Sequence, residues 1–278
     1  MNTLQLSYEK MDQPRVLAAL FHPRPDWNPP PAGAFDQEVV VADGVSLPVR
    51  YHLGDDPAAV NILFFHGNGE VASEYDELAP QYRAVGLNLV VAEYRGYGRA
   101  GGTPTVAAMI RDAHSVLTLA RDTLREQGHN GKLVVMGRSL GSVPAIDLAA
   151  GAPAGAVDGL IIESGIGETL PLLRCLGIDP AAGGPADESE GFRNLQKIAL
   201  FDKPTYILHA QHDELIPVLA AEALQAHCAA RRKEFQIVPG AGHNTIIEQV
   251  GVLYFQALKQ FTRKLGQPER RSRPGVRD

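Results

Sequence analysis

The run Lys132-Leu133-Val134-Val135-Met136-Gly137-Arg138-Ser139-Leu140-Gly141-Ser142 decides how the rest of the chain is read. Lys132 to Met136 is a short apolar run that ends on glycine, which fits a strand buried on both faces. Ser142 to Ala150 reads as a helix. Between them stands Gly-Arg-Ser-Leu-Gly, a string that is common by chance and gains its weight from the strand–turn–helix setting. So tight a turn needs small residues two before and two after the serine, and glycine at 137 and 141 lets strand and helix approach without a Cβ clash. The turn lifts the Ser139 hydroxyl to the top of a sheet. It leaves the Leu140 N–H at a helix start, where unpaired donors and the dipole favour an anion.

The pattern repeats along the chain. Asn61–Phe65, Leu87–Ala92, Leu160–Ile162, Thr205–Leu208 and Glu234–Val238 read as strands. Gln37–Ala42 and Val45–Leu53 flank Asp43-Gly44, a two-residue hairpin signal. Helical spacing fills the gaps. Val106, Met109, Ile110, Ala113, Val116, Leu117, Ala120 and Leu124 recur at steps of three and four, with Thr103-Pro104 as cap and first turn. Leu219–Ala230 and Thr245–Leu265 are further helices, and Pro80 should break or kink the one after His66. The fold class is therefore α/β: a mostly parallel sheet of about eight strands with an antiparallel leading hairpin and helices on both faces. Its chemistry belongs beyond the carboxyl ends of the strands.

The 278 residues suffice for a sizeable core, and 45% hydrophobic against 21% charged excludes disorder as a whole. With 26 basic and 32 acidic residues the net charge is −6, which gives no general attraction to nucleic acid or anionic lipid. Cys175 and Cys228 are too few for a disulfide framework or a four-thiolate zinc site, and fit a reducing compartment. No integral membrane segment is legible, and Glu9, Lys10, Asp12, Pro14 and Arg15 stand where a signal peptide needs apolar residues. A cytoplasmic protein is expected. Residues 1–36 read as an approach arm, extended by Pro23, Pro25, Pro29, Pro30 and Pro31, with Leu17, Leu20, Phe21 and Trp27 available to dock it. Residues 37–265 form the main domain and 266–278 a basic tail.

A serine hydroxyl needs a base. His243, in Pro239-Gly240-Ala241-Gly242-His243, sits just after the last strand and before the last helix. The third member must fix the ring tautomer and stabilise the imidazolium. Asp213, beyond the Thr205–Leu208 strand, gives the chain order Ser139, Asp213, His243 that suits an elbow of this kind, and is preferred over the competitors Glu214, its neighbour, and Glu163, at the end of the preceding strand. The oxyanion of acyl transfer would be held by the backbone N–H groups of Leu140 and of Asn68, in His66-Gly67-Asn68-Gly69, each worth on the order of 3 kcal/mol. His66 reads as a structural residue under that loop. His209, His212 and Asp213 have a spacing that evokes a metal pair, but a catalytic zinc needs three ligands in fixed geometry, and packing is the better reading.

Taken together, His66-Gly67-Asn68-Gly69, Tyr94-Arg95-Gly96-Tyr97-Gly98, Gly137-Arg138-Ser139-Leu140-Gly141-Ser142, His212-Asp213-Glu214-Leu215-Ile216-Pro217 and Gly242-His243 resemble the α/β-hydrolase superfamily in its serine-hydrolase branch. The elbow with the Tyr-Arg-Gly-Tyr-Gly segment is similar to a compact subgroup that includes protein depalmitoylases and many bacterial hydrolases. The resemblance spans roughly residues 37 to 265 and implies the triad Ser139, Asp213, His243. Ala210, Ala100 and Pro80 depart from the common pattern without touching that triad.

The segment 165–203 between two strands is placed to build a small lid. Ile166, Leu170, Leu172, Leu173, Leu176 and Ile178 either pack it down or wall an acyl chain, and Ala181 to Glu188 reads as flexible. The expected function is hydrolysis of carboxylic esters or thioesters through an acyl-enzyme, on a small-molecule or acyl-chain substrate, with no metal or organic cofactor. The alternatives are a serine peptidase or aminopeptidase of the same fold, which the lack of an obvious carboxylate cluster for a substrate amine disfavours, and a non-catalytic binding module. A dehalogenase or epoxide hydrolase would carry a carboxylate where Ser139 stands.

Overall fold

The computed structural model describes residues 7–179 and 183–266. The basic tail from 267 onward, and Ala181 and Ala182 of the expected flexible stretch, lie outside the described residues. All eight segments read as strands form one sheet: β1 (Ala34–Val40), β2 (Ser46–His52), β3 (Val60–Phe65), β4 (Leu87–Ala92), β5 (Leu133–Arg138), β6 (Gly159–Glu163), β7 (Thr205–Ala210) and β8 (Lys233–Val238). The order is β1-β2-β4-β3-β5-β6-β7-β8. The β1–β2 and β2–β4 pairs are antiparallel and the remainder are parallel. Strands β4, β6 and β7 are buried along their whole length, which is why their sequences are continuous apolar runs and not alternating ones.

The helices are α1 (Pro14–Leu20), α2 (Ala79–Ala84), α3 (Val106–Glu126), α4 (Ser142–Gly151), α5 (Thr169–Cys175), α6 (Asn194–Ile198), α7 (Val218–His227), α8 (Ile246–Val250) and α9 (Val252–Thr262). They divide the core in two. Residues of α1, α3, α4 and α7 join one cluster, and those of α2, α8 and α9 join the other. On the second side Phe255 meets Tyr82 edge-on, with ring centroids 5.2 Å apart. Burying one such ring stabilises by about 1.5–3 kcal/mol. No helix among the described residues is long and apolar enough to cross a membrane.

Four local readings change. The N-cap of α3 is Thr105, whose side chain accepts from the Ala108 N–H, not Thr103. Pro80 opens α2 instead of breaking it, because the first turn of a helix has no use for the missing N–H. The single C-terminal helix is two, divided at Gly251, which adopts φ +54°. The leading hairpin turns through a short 3-10 segment at Ala42–Gly44, closed by Val41 N–H to Val45 O at 2.8 Å, and not through a two-residue turn.

The arm is knitted to the body. Phe21 to Pro31 is neither helix nor strand, as its prolines demand, but α1 precedes it. Tyr8, Met11, Val16, Leu20 and Phe21 are buried in the larger core. The Asp12 carboxylate accepts from the Val106 N–H at 2.7 Å and so supports the start of α3. Trp27 stacks over Arg99, 5.1 Å from the guanidinium carbon to the ring centre.

Candidate active site

Ser139 holds φ +52°, a left-handed conformation that a serine adopts only when its surroundings impose it. The imposition is steric. A Cβ on Gly137 would overlap the Gly141 carbonyl oxygen, and a Cβ on Gly141 would overlap the carbonyl oxygens of Phe65 and His66. The elbow after β5 therefore lies directly against the loop after β3. The Ser142 hydroxyl ties the turn further, donating to Ser139 O at 2.6 Å and accepting from the Ile166 N–H at 2.9 Å.

The three residues separated in sequence come together at the carboxyl ends of β5, β7 and β8. His243 Nε2 is 2.9 Å from Ser139 Oγ. His243 Nδ1 is 2.9 and 2.8 Å from the two oxygens of Asp213, whose side chain is fully buried. A carboxylate only accepts, so the ring proton sits on Nδ1 and the Nε2 lone pair faces the serine. Asp213 Oδ1 also accepts from the N–H groups of Leu215 and Ile216, at 3.1 and 2.7 Å. Burial works to raise the Asp213 carboxyl, but the bonds from His243 and the Ile216 N–H outweigh it and hold the acid below the usual carboxylate range. His209, which burial pushes down, donates from Nε2 to Ile216 O at 2.8 Å and so holds the acid loop from below.

The rejected acids have other partners. Glu214 accepts from the His243 backbone N–H at 3.1 Å, and Glu163 lies between Arg138 and the Tyr254 hydroxyl. His66 is buried under the β3 loop between Gly67 O, at 2.8 Å, and Glu93, at 3.1 Å. Asn68 turns its side chain to the arm: its Oδ1 accepts from the His22 N–H at 2.8 Å and the Tyr97 hydroxyl at 2.7 Å. Among the described residues its backbone N–H has no hydrogen-bond partner, whereas the Gly67 N–H is taken by Glu70 at 2.7 Å.

Sequence reasoning missed Arg138. Its guanidinium pairs with Glu70 of the β3 loop and donates to His243 O at 3.1 Å and to Asn244 Oδ1 at 2.7 Å. Its Nε lies 3.3 Å from Glu163 at the end of β6. One side chain thus links the elbow, the β3 loop, the histidine loop and β6. Arg138 also lines a cavity of about 320 Å³ that brings Glu70, Glu74 and Glu163 together with Tyr75 and Tyr254. A smaller, apolar cavity of about 160 Å³ lies between the β6–β7 crossover and the acid loop, lined by Ile166, Pro171, Leu172, Leu215, Ile216 and Leu219. Of the apolar crossover residues, Ile166, Leu173 and Ile178 are buried and pack the segment down, while Leu170, Leu172 and Leu176 are half-buried.

Residues 56–171 match the family described as serine aminopeptidase, S33. The chain is 31% identical over 208 residues to human alpha/beta hydrolase domain-containing protein 17B, covering 73% of this chain and 66%, just under two thirds, of that protein. It is 29% identical over 256 residues to an uncharacterized protein of Mycobacterium tuberculosis, covering 85% and 83%. Among solved structures, a Pyrococcus furiosus esterase superposes with TM-score 0.71 at 17% identity, over 88% of this chain and 98% of that one. A soluble variant of the Saccharomyces cerevisiae monoglyceride lipase, bound to a substrate analog, gives TM-score 0.65 at 18% identity, over 89% and 100%. The fold is that of the α/β hydrolases, and the sequence is similar to members of that superfamily.

Proposed function

We propose that this protein is a serine hydrolase of carboxylic esters or thioesters, with Ser139 as nucleophile, His243 as base, Asp213 as the orienting acid and the Asn68 and Leu140 N–H groups as oxyanion donors. The observation that carries the reading is the continuous relay from Asp213 to His243 Nδ1 at 2.8 Å and from His243 Nε2 to Ser139 Oγ at 2.9 Å. As Ser139 Oγ bonds to the substrate carbonyl carbon, its proton passes to His243 Nε2 and the carbonyl electron pair moves onto oxygen. Collapse of that oxyanion expels the alkoxide or thiolate, which takes the proton from His243 and leaves an acyl-serine. Water then repeats the sequence, with His243 as its base, and the acid leaves.

A second reading, an aminopeptidase, is favoured by the description of the matching family and by the carboxylates around Arg138. Those carboxylates already have partners: Glu70 meets Arg138 and Tyr75, Glu74 meets Arg24, and Glu163 meets Arg138 and Tyr254. Each is thus engaged within the protein, and the ester reading is preferred.

The test is labelling with a fluorophosphonate, followed by peptide mapping. Modification of Ser139, abolished in Ser139→Ala, is expected; an unlabelled Ser139 in the folded protein refutes the reading. A panel of p-nitrophenyl esters, acyl thioesters and aminoacyl-arylamides then separates the two reactions. Turnover confined to the arylamides would replace the ester reading with the peptidase one.

A further inference from the structure

We propose that His22 and Arg24 of the N-terminal arm are positioning residues of the oxyanion hole, holding the loop that presents the Asn68 N–H. The proposal rests on the serine-hydrolase reading above. The two donors of the hole are not built alike. Leu140 belongs to the elbow, which the close contacts of Gly137 and Gly141 hold against the end of β3. Asn68 belongs to a turn of the β3 loop, and its place has to be set by what grips that turn. Donors stabilise an oxyanion only when they are aimed before the charge forms, so a loose turn costs rate and not substrate binding.

The grip comes from a segment 46 residues away in sequence. The His22 backbone N–H donates to Asn68 Oδ1 at 2.8 Å, and Asn68 Nδ2 donates back to His22 Nδ1 at 2.8 Å. The Tyr97 hydroxyl donates to the same Oδ1 at 2.7 Å. The amide therefore has one satisfied orientation, with its oxygen toward two donors and its nitrogen toward one acceptor. Next along the turn, Arg24 donates to Gly69 O at 2.8 Å and to Glu74 at 2.7 Å. The gripping segment is itself fixed. Leu20 and Phe21 before it are buried, and the Gly98 N–H donates to Arg24 O at 2.8 Å. The arm thus acts as a strut between the core and the Asn68 turn.

The test reads kcat and KM on p-nitrophenyl acetate, the inhibition constant of an arylboronic acid that adopts the tetrahedral geometry, and the rate of fluorophosphonate labelling at Ser139. His22→Phe keeps the ring and removes the Nδ1 acceptor. It is expected to lower kcat about threefold to tenfold with KM unchanged, to weaken the boronic acid by the same factor, and to slow labelling equally. His22→Asn, whose Oδ1 stands where Nδ1 stood, should return to within about twofold of the original chain. Arg24→Ala, at a side chain 42% exposed and so without cost to the core, should lower kcat in the same manner. Asn68→Ala should lose more than either, because three bonds go, and adding His22→Phe to it should cost nothing further.

Wild-type kcat in both His22→Phe and Arg24→Ala, a loss carried by KM, or multiplicative losses in the Asn68→Ala double variant would overturn the proposal. If His22→Phe does not fold, Arg24→Ala and the Asn68→Ala pair decide it. A chain that labels at Ser139 with a rate indifferent to these substitutions sinks the arm alone. A chain that takes no label sinks the serine-hydrolase reading and this one with it.

Discussion

Replacing Asp213 by Asn tests the relay at its most demanding point, because the change is one atom. Oδ1 of Asp213 accepts from the Leu215 and Ile216 N–H groups at 3.1 and 2.7 Å, and those two donors cannot face an amide NH₂. The asparagine must therefore put its oxygen there and its nitrogen where Oδ2 now lies, 2.8 Å from His243 Nδ1. An NH₂ in that place donates to Nδ1 and displaces the ring proton to Nε2, against the competing pull of the amide oxygen 2.9 Å from Nδ1, which the two backbone donors already occupy. Nε2 faces Ser139 Oγ at 2.9 Å, and an N–H there cannot take the hydroxyl proton. A wrong tautomer of this kind costs on the order of 10⁴ in kcat. That corresponds to about 5 kcal/mol of lost transition-state stabilisation. The assay is p-nitrophenyl ester turnover with active-site titration, together with long-range proton–nitrogen NMR of the imidazole to read the tautomer. Asp213→Asn that keeps kcat within tenfold, or that lacks activity while its ring still carries the Nδ1 proton, would refute the reasoning. Stability gives a second check. The folded Asp213 carboxyl is depressed, so its contribution is present above the unfolded pKa of about 3.9 and is lost as pH falls through the folded value. The stability gap between the original chain and Asp213→Asn should narrow below about pH 4 in urea titrations.

Gly141→Ala drives a methyl group into the Phe65 and His66 carbonyl oxygens and should destabilise by roughly 3 kcal/mol in urea unfolding, whereas Gly151→Ala, whose Cβ meets only the His114 ring at 3.7 Å, should be neutral or stabilising. His52 is pushed down to about 4 by burial and by the Arg50 charge, so the unfolded chain binds the extra proton between about pH 6.5 and 4 and stability falls through that window as pH drops. The loss should reach about 3 kcal/mol and vanish in His52→Gln; an unchanged pH slope in that variant would rule His52 out as its source. Arg138→Lys should lower kcat about ten- to fiftyfold while keeping the urea midpoint close to that of the original chain.

Much of the fold was legible because its interior strands are short apolar runs closed by glycine or a polar turn. A strand buried on two faces leaves such a run, whereas β1 and β2 were read from the turn signal between them and β8 is an edge strand with a largely exposed face. The ends of helices were less legible. Thr103 and Thr105 both suit a cap, and only the Ala108 N–H reaching Thr105 separates them. Apolar spacing runs unbroken through Ile246, Ile247, Val250, Val252 and Leu253, so the break at Gly251 leaves no trace in the periodicity. Of the candidate site, Ser139, Asp213, His243, Asn68 and Leu140 stand out because each is a chemically suitable residue at a strand end. Arg138 does not, since it occupies the free position of the elbow string, where any residue satisfies the turn. His22 does not either. Its role depends on where the arm lands, and the apolar residues available to dock the arm do not say that His22 beside them meets Asn68.

Why the Arg138→Lys losses should fall on rate and spare stability follows from what holds the elbow to its neighbours. Arg138 brings one positive charge among Glu70 and Glu163, and a lysine brings the same charge. The desolvation of those carboxylates is therefore still offset, and no buried charge is left alone, which is the condition under which buried pairs become destabilising when broken. What lysine lacks is the planar fork. A single ammonium cannot reach Glu70, the His243 carbonyl, Asn244 and Glu163 from one position, as the guanidinium does. It will satisfy the carboxylates, the strongest acceptors, and release the His243 carbonyl and Asn244. The histidine loop then keeps its Asp213 bond but loses its tie to the residue that precedes Ser139. The Nε2–Oγ distance should widen and fluctuate, and a proton transfer that depends on that distance should slow. A lysine variant that loses activity only in proportion to its loss of folded protein would show instead that Arg138 serves the fold and not the alignment of His243 with Ser139.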